Sequence, residues 1–215
     1  MILVAILSFA TLLALFLREV WPRNRSFALF YVSWVLAYGT LAGSGFFLEH
    51  LNAFPPYPMR LMLLLLVMLL LSLASSKGRA LWNSIPTERL VAFHVIRAPI
   101  GLTFVVGASQ GWMAPEFGQR AGWGDMLAGF WALAFILLPA LRSRKGTLAW
   151  NAVATFDLLL AVGTAALTVQ GPFQLYPHAE LLRPLAELPG TVVPGCAVPL
   201  LFFTHILIFK RLFHK

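Results

Sequence analysis

The sequence is poor in the residues on which soluble and disulfide-linked proteins depend. Among its 215 residues there is one cysteine, Cys196, and charged residues make up only 11%. One cysteine excludes a disulfide scaffold and any zinc or iron–sulfur site built on cysteine. The hydrophobic share is 60% and the mean hydropathy is +0.81. A soluble domain of this length could not bury so much apolar surface, so the soluble globular, disordered, coiled-coil and collagen classes are excluded.

Long apolar runs, by contrast, are abundant. A transmembrane helix needs roughly 20 mostly apolar residues. Seven stretches come near this length, namely residues 1–17, 27–48, 61–75, 90–113, 126–141, 147–170 and 193–209. We therefore predict an all-α fold, an integral membrane bundle of seven transmembrane helices that forms a single domain over residues 1–215.

The positions of the basic residues support seven spans and give them an orientation. Twelve of the sixteen lysine and arginine residues follow the first, third, fifth or seventh stretch, three lie on the opposite side, and Arg97 lies inside the fourth. Lysine and arginine accumulate on the cytoplasmic side of membrane proteins. The pattern predicts an N-terminus outside and a C-terminus in the cytoplasm, for a multi-pass protein of the bacterial inner membrane. It also accounts for the net charge of +8, so we expect no nucleic acid as a partner.

Four ionisable side chains lie within the predicted spans: His94, Arg97, Asp157 and His205. Ionisable residues are costly inside a membrane and are therefore candidates for a ligand or proton site. Arg97 and Asp157 lie at similar depth, which predicts a buried pair if helices four and six are neighbours. Asn151 lies level with the two histidines, so the five residues form a predicted polar cluster. The alternative is structural: the charges join helices, and the histidines bond to backbone or water.

A second group of candidates lies in the glycine-rich stretch 114–125, which we predict to be an outer loop. Glu116, Arg120, Trp123 and Asp125 would form the mouth of a site for a polar or cationic ligand. Asp125 directly precedes the predicted fifth span. Its alternative role is therefore that of an N-cap, which would accept hydrogen bonds from free backbone N–H groups.

Two further patterns concern packing. Gly39 and Gly43 form a GxxxG spacing in the second span, which favours close approach of another helix. In the loop 171–192, leucines 181, 182, 185 and 188 share one helical face. This arrangement predicts a short interfacial helix that acts as a lid.

The sequence predicts neither a cofactor nor a metal site. His94 and His205 are the one histidine pair on different helices at equal depth, and haem ligation by them is the alternative. Retinal is disfavoured, because none of the four lysines lies within the seventh span. HExxH, GxSxG and Walker A motifs are absent as well. The sequence therefore identifies no catalytic residue. It favours a non-enzymatic role but leaves enzymatic activity open.

Several motifs resemble those of a group of small uncharacterised bacterial multi-pass membrane proteins with a GWGD-like outer loop. They are RAPIG at 97–101, APEFGQRAGWGDMLAG at 114–129, FDLLLAV at 156–162, and two prolines followed by Thr-His in the last span. The resemblance covers about the C-terminal half and implies seven helices but no activity. It singles out Arg97, Glu116, Asp125, Asp157 and His205 as positions to test, together with Gly122 and Gly124.

Three functions are compatible with these features. The first is a transporter-like or receptor-like protein that handles a small molecule or lipid through the polar cluster. The second is a membrane-embedded enzyme or haem-binding redox protein that uses His94 and His205. The third is a non-catalytic accessory subunit of the membrane. The expected partners are the lipid bilayer and a small-molecule or lipid ligand, and an oligomer or partner subunit is left open.

Overall fold

The computed structural model describes residues 2–51 and 53–213, and within these ranges the chain is all-α and has no β-strand. The α-helices of the described residues are α1 (Ile2–Val20), α2 (Arg25–Gly43), α3 (Phe46–Glu49), α4 (Tyr57–Ser72), α5 (Ser76–Ser84), α6 (Thr87–Ala92), α7 (Arg97–Ser109), α8 (Pro115–Leu137), α9 (Arg144–Thr168) and α10 (Val198–Phe213).

Tighter and wider turns connect or interrupt these helices. A 3-10 segment, Phe93–Ile96, joins α6 to α7, and a π-helical turn, Val193–Ala197, leads into α10. The first of these lies one turn before Pro99, which has no N–H to donate to a carbonyl of that turn. Two further 3-10 segments are Pro139–Arg142 and Ala179–Leu185.

Side-chain caps explain where three of the helices begin. Asn24 accepts a hydrogen bond from the backbone N–H of Phe27 at the start of α2. Ser75 and Ser143 do the same for the third residue after each of them, at α5 and α9. Each cap satisfies a backbone donor that has no partner inside the helix.

Five helical segments of the described residues are long and apolar enough to cross a membrane: Ile2–Val20, Arg25–Gly43, Thr87–Ser109, Arg144–Thr168 and Val193–Phe213. The count rises to six if α4 and α5, which meet at 96°, form one broken span. The remaining long helix is α8, which has 23 residues and includes Glu116, Arg120 and Asp125. The described residues therefore form an all-α structure with five candidate membrane-spanning segments, as judged by length and composition.

The stretch 114–125 is helical, so the prediction of an outer loop there was wrong. Pro115 occupies the first turn of α8, where its missing N–H costs nothing, and the helix continues to Leu137. Gly118 and Gly122 of this stretch lie on the face of α8 that packs on α7, whereas Gly124 faces Asp157 on α9. Asp125 is consequently an interior residue of α8 and not its N-cap.

The α7–α8 contact is the most extensive between helices, and α8 packs next most extensively on α9. The two backbones of the first pair come very close. A Cβ added at Gly122 would lie 2.7 Å from the carbonyl oxygen of Gly101, and one added at Gly118 would lie 2.7 Å from that of Phe104. At Gly129 an added Cβ would overlap Ala98. This glycine seam, defined by Gly101, Gly118, Gly122 and Gly129, fixes the separation of α7 and α8.

The close packing predicted for Gly39 and Gly43 is not found among the described residues. A Cβ added at Gly39 meets nothing within 4 Å, and one at Gly43 meets only the Leu188 side chain at 3.7 Å. These two positions are not a helix–helix contact.

Candidate functional site

A buried charged triad lies where α7, α8 and α9 meet. Arg97 begins α7 directly after the 3-10 segment, and its Nε donates to Asp125 Oδ1 on α8 at 2.6 Å. Its Nη2 donates to Asp157 Oδ2 on α9, and its Nη1 donates to the carbonyl oxygen of Ala154 at 3.0 Å. One guanidinium therefore joins three helices, a task for which its planar fork of donors is suited.

Glycine makes room for this arrangement. A Cβ at Gly124 would overlap the carboxylate of Asp157, so only glycine at this position lets the Asp157 side chain pass α8 and reach Arg97. Two glycines of the seam lie about one helical turn from members of the triad: Gly101 follows Arg97, and Gly122 precedes Asp125. They let α7 and α8 approach closely at this level. The triad therefore depends on small residues that lie next to its members in sequence.

The three charges do not balance. Arg97 is 1% exposed, Asp125 6% and Asp157 8%. With both carboxylates ionised, the triad has one positive and two negative charges, so its net charge is −1. An uncompensated buried charge is unfavourable by several kcal/mol in a low-dielectric interior, on the order of the desolvation penalty per ion. A proton or a cation must therefore accompany the second carboxylate.

A cavity of about 500 Å³ opens beside the triad, and Asp125 is part of its wall. Most of the wall is apolar and is formed by side chains from several helices, such as Met62, Phe104 and Leu158. Asp125 and Leu158 are the lining residues farthest along α8 and α9 from the entrance, so they form its inner end. Ligand sites in proteins are concave and mostly apolar, with a few polar groups that fix orientation, and this cavity has that character.

The exposed residues of the cavity wall mark its entrance, and they lie at Leu51 and within the segment 170–183. The 3-10 segment Ala179–Leu185 includes three of the four leucines of the predicted lid, and two of them, Leu182 and Leu185, line the cavity wall. The polar side chains at the entrance are His50, Gln170, Gln174, Glu180 and Arg183.

A second polar cluster surrounds two histidines. His94 Nε2 lies 2.9 Å from Thr204 Oγ1, and His205 Nδ1 lies 2.7 Å from Asn151 Oδ1. The two imidazole rings contact each other, with centroids 4.2 Å apart, and the Trp150 ring packs on both. His94 Nδ1 and His205 Nε2, both buried, have no hydrogen-bond partner.

The histidine geometry bears on the haem alternative. Two axial histidines bind haem iron from opposite faces of the macrocycle, whereas the His94 and His205 rings lie against each other without a gap. Haem between them would require the 3-10 segment Phe93–Ile96, which contains His94, to separate from α10. The described residues also contain no group of three or more His, Cys, Asp or Glu side chains that could hold a metal ion.

The candidate residues fall into three places. Arg97 and Asp157 meet in the triad, and Asn151, His94 and His205 meet in the histidine cluster. Of the four outer-loop candidates, Asp125 joins the triad, and the other three are not brought together. Glu116 and Arg120 contact the segment that follows α9, at His178 and Tyr176 respectively, and Trp123 is exposed and donates to Gln119 at 3.0 Å.

Sequence reasoning missed the partner of Asp125, because it placed this residue in a loop outside the membrane. The spacing of Gly118, Gly122 and Gly129 was a usable signal, since it marks one face of a helix. Glu19 was also missed. It is 6% exposed, and its carboxylate lies 3.3 Å from the guanidinium of Arg23 and 3.7 Å from that of Arg89. Its place in the sequence, between Arg18 and Arg23, gave no sign of burial.

Comparison with known proteins gives one family. Residues 55–213 match the family described as Domain of unknown function (DUF8737). The match includes α4 to α10, the triad, the histidine cluster and most of the cavity, and the chain belongs to this family. No curated protein and no solved structure matches the chain.

Proposed function

We propose that this member of the DUF8737 family is a multi-pass membrane protein of transporter-like or receptor-like type that binds a small molecule or a lipid in the cavity beside Asp125. The observation that carries the proposal is the cavity itself, about 500 Å³ in volume, largely apolar, and ended by a buried carboxylate. An apolar cavity with one charged end suits an amphipathic ligand. Asp125 forms its polar end, Arg97 joins Asp125 to Asp157 beside the cavity, and the histidine cluster lies behind the triad.

Blocking the cavity tests this function. Ala165 on α9 is half-buried and lines the cavity, whereas Ala152 on the same helix is exposed. We expect native mass spectrometry of the protein in lipid nanodiscs to show a bound small molecule or lipid that Ala165→Trp removes and the matched control Ala152→Trp retains. Adducts that are equal in both variants, or that are missing from the unmodified protein, would count against the proposal.

The same samples test the alternatives. A Soret band that disappears on replacement of His94 or His205 would select the haem-binding redox protein. A stoichiometric second protein without any small-molecule adduct would select the accessory subunit.

We also propose that the chain crosses the membrane seven times, with α8 as a span and the N-terminus outside. Large apolar side chains on α8, such as Leu127, Phe130 and Leu137, are more than half exposed, as expected for a helix that faces lipid. Its three charged residues do not oppose insertion, because Asp125 is paired with Arg97, while Glu116 and Arg120 lie in the first two turns. The bias of basic residues supports the bacterial inner membrane and this orientation.

Cysteine labelling tests the orientation in the full-length protein. The natural cysteine, Cys196, is buried. For the experiment it is first replaced by serine, and single cysteines are then introduced at exposed positions before and after α8. We expect Gln110→Cys to react with a membrane-impermeant maleimide on intact cells, and Lys145→Cys to react only after the cells are opened. Gln174→Cys and Lys77→Cys provide the same pair elsewhere in the chain. Labelling of Gln110→Cys and Lys145→Cys from the same side would contradict seven spans.

A further inference from the structure

The charge of the triad restricts what the cavity can bind. Arg97 pairs with both Asp125 and Asp157, so one negative charge is left without a cation. Ala154, the third partner of Arg97, contributes only a neutral carbonyl oxygen. The described salt bridges of Asp125 and Asp157 include no second lysine, arginine or histidine.

The excess charge faces the cavity at one point. Of the three triad residues, Asp125 is the one that lines the cavity, and it does so at the inner end. A group that enters from the entrance therefore meets first apolar side chains and then a carboxylate. At the entrance itself, Glu180 and Arg183 contribute one charge of each sign, so the entrance does not favour either sign.

We propose that the cavity selects an organic cation, a protonated amine on an apolar body, whose ammonium group binds against Asp125 and makes the triad neutral. This inference rests on the proposed binding function and narrows its ligand class. The apolar wall takes the body of the ligand, and the carboxylate takes its charged end. In a site shielded from water, a charge pair of this kind contributes far more than at a surface. An anionic ligand would add a second uncompensated charge beside Asp125.

Three probes of equal chain length separate charge from hydrophobicity: octylamine, which is a cation at pH 7, neutral 1-octanol, and anionic octanoate. Binding to the full-length protein in nanodiscs is measured by isothermal titration calorimetry, with empty nanodiscs subtracted. We expect octylamine to bind about tenfold more tightly than 1-octanol, or better, as close charge pairs in protected sites give. Octanoate should bind more weakly than both.

Asp125→Asn provides the decisive variant. It keeps a side chain that accepts a hydrogen bond from Arg97 and leaves a neutral Arg97–Asp157 pair, so folding should be preserved. We expect its octylamine affinity to fall to that of 1-octanol, while 1-octanol binding stays unchanged. Glu49→Gln is the matched control, since it removes one negative charge from an exposed position outside the cavity wall and should leave the preference for octylamine intact.

The outcomes distinguish the two proposals. If 1-octanol or octanoate binds the unmodified protein as tightly as octylamine does, the cavity binds ligands but the amine class is wrong, as would follow from a triad kept neutral by a proton. A preference for octylamine that survives in Asp125→Asn or disappears in Glu49→Gln would also overturn the amine proposal. If none of the three probes binds, the binding function itself fails.

Discussion

Replacement of Arg97 by methionine should abolish accumulation of the folded protein. The substitution keeps much of the side-chain volume but leaves Asp125 and Asp157 buried with no cation. Removal of one partner from a buried ion pair typically costs about 3–5 kcal/mol, which approaches the whole stability of many domains. Size-exclusion chromatography of a fluorescent fusion in mild detergent, with thermal melting of the main peak, measures the effect.

Restoring charge balance should restore folding. We expect the triple variant Arg97→Met, Asp125→Asn, Asp157→Asn to give a monodisperse peak, because it leaves no charge at the triad. Asp157→Asn alone should also fold, since it leaves one cation and one anion, and a loss of ligand binding in that folded variant would assign Asp157 a functional role. An Arg97→Met protein that melts at the temperature of the unmodified protein would contradict the assignment of Arg97 as the cation that holds these helices together.

The second large effect is expected at the glycine seam. Gly101→Ala places a Cβ against the carbonyl oxygen of Gly122, and Gly122→Ala places one 2.7 Å from that of Gly101. Both obstacles are backbone atoms, which cannot rotate away, so α7 and α8 must separate. Overpacking costs about 1–3 kcal/mol in protein cores, and the rigidity of both neighbours puts the seam at the upper end of this range.

The sequence offers matched controls for this prediction. Gly39 and Gly163 are also helical glycines, but an added Cβ meets nothing within 4 Å at either position. Gly39→Ala and Gly163→Ala should therefore leave the melting temperature unchanged or raise it, because alanine is the better helix former. Equal melting temperatures for Gly101→Ala and Gly39→Ala would show that the close approach of α7 and α8 does not limit stability.

Separation of α7 and α8 would also disturb the geometry of the triad. Gly101 follows Arg97 by one helical turn, and Gly122 precedes Asp125 by three residues. A wider gap at the seam lengthens the 2.6 Å bond between Arg97 Nε and Asp125 Oδ1. The seam variants should thus lose ligand binding at temperatures at which they are still folded.

The α-helical class could be predicted from the sequence because apolar runs and basic residues report directly on it. The partners of Arg97 could be predicted only in part. Depth along a helix can be counted in residues, which placed Arg97 level with Asp157, whereas the neighbours of each helix depend on packing that no local pattern records. Asp125 was assigned to a loop because glycines have two uses, tight turns in loops and close contact between helices. Residue type alone does not separate these uses.

The cavity lay beyond sequence reasoning altogether. Its wall combines residues from α4, α7, α8, α9 and the 3-10 segment Ala179–Leu185, and most of these side chains have the ordinary apolar character of their helices. A cavity exists where packed helices leave a gap between them, and the sequence of a single helix does not record such a gap. The histidine cluster, by contrast, was predictable in outline, because His94, Asn151 and His205 lie at equal distances from the ends of their segments.

The bend between α4 and α5 has a consequence for the surrounding lipid. α4 has 16 residues, about 24 Å at 1.5 Å per residue, whereas the hydrocarbon core of a bilayer is about 30 Å thick. At its end the chain turns by 96° into α5, whose first turn contains Lys77 and Arg79. Because of this bend and these charges, α5 does not extend α4 across the hydrocarbon core. In a seven-span protein, the bilayer would have to become thinner along this one flank, where Met59 and Met62 of α4 also line the cavity. Bilayer thickness would then act on the wall of the cavity, and the protein would favour thin regions of its membrane.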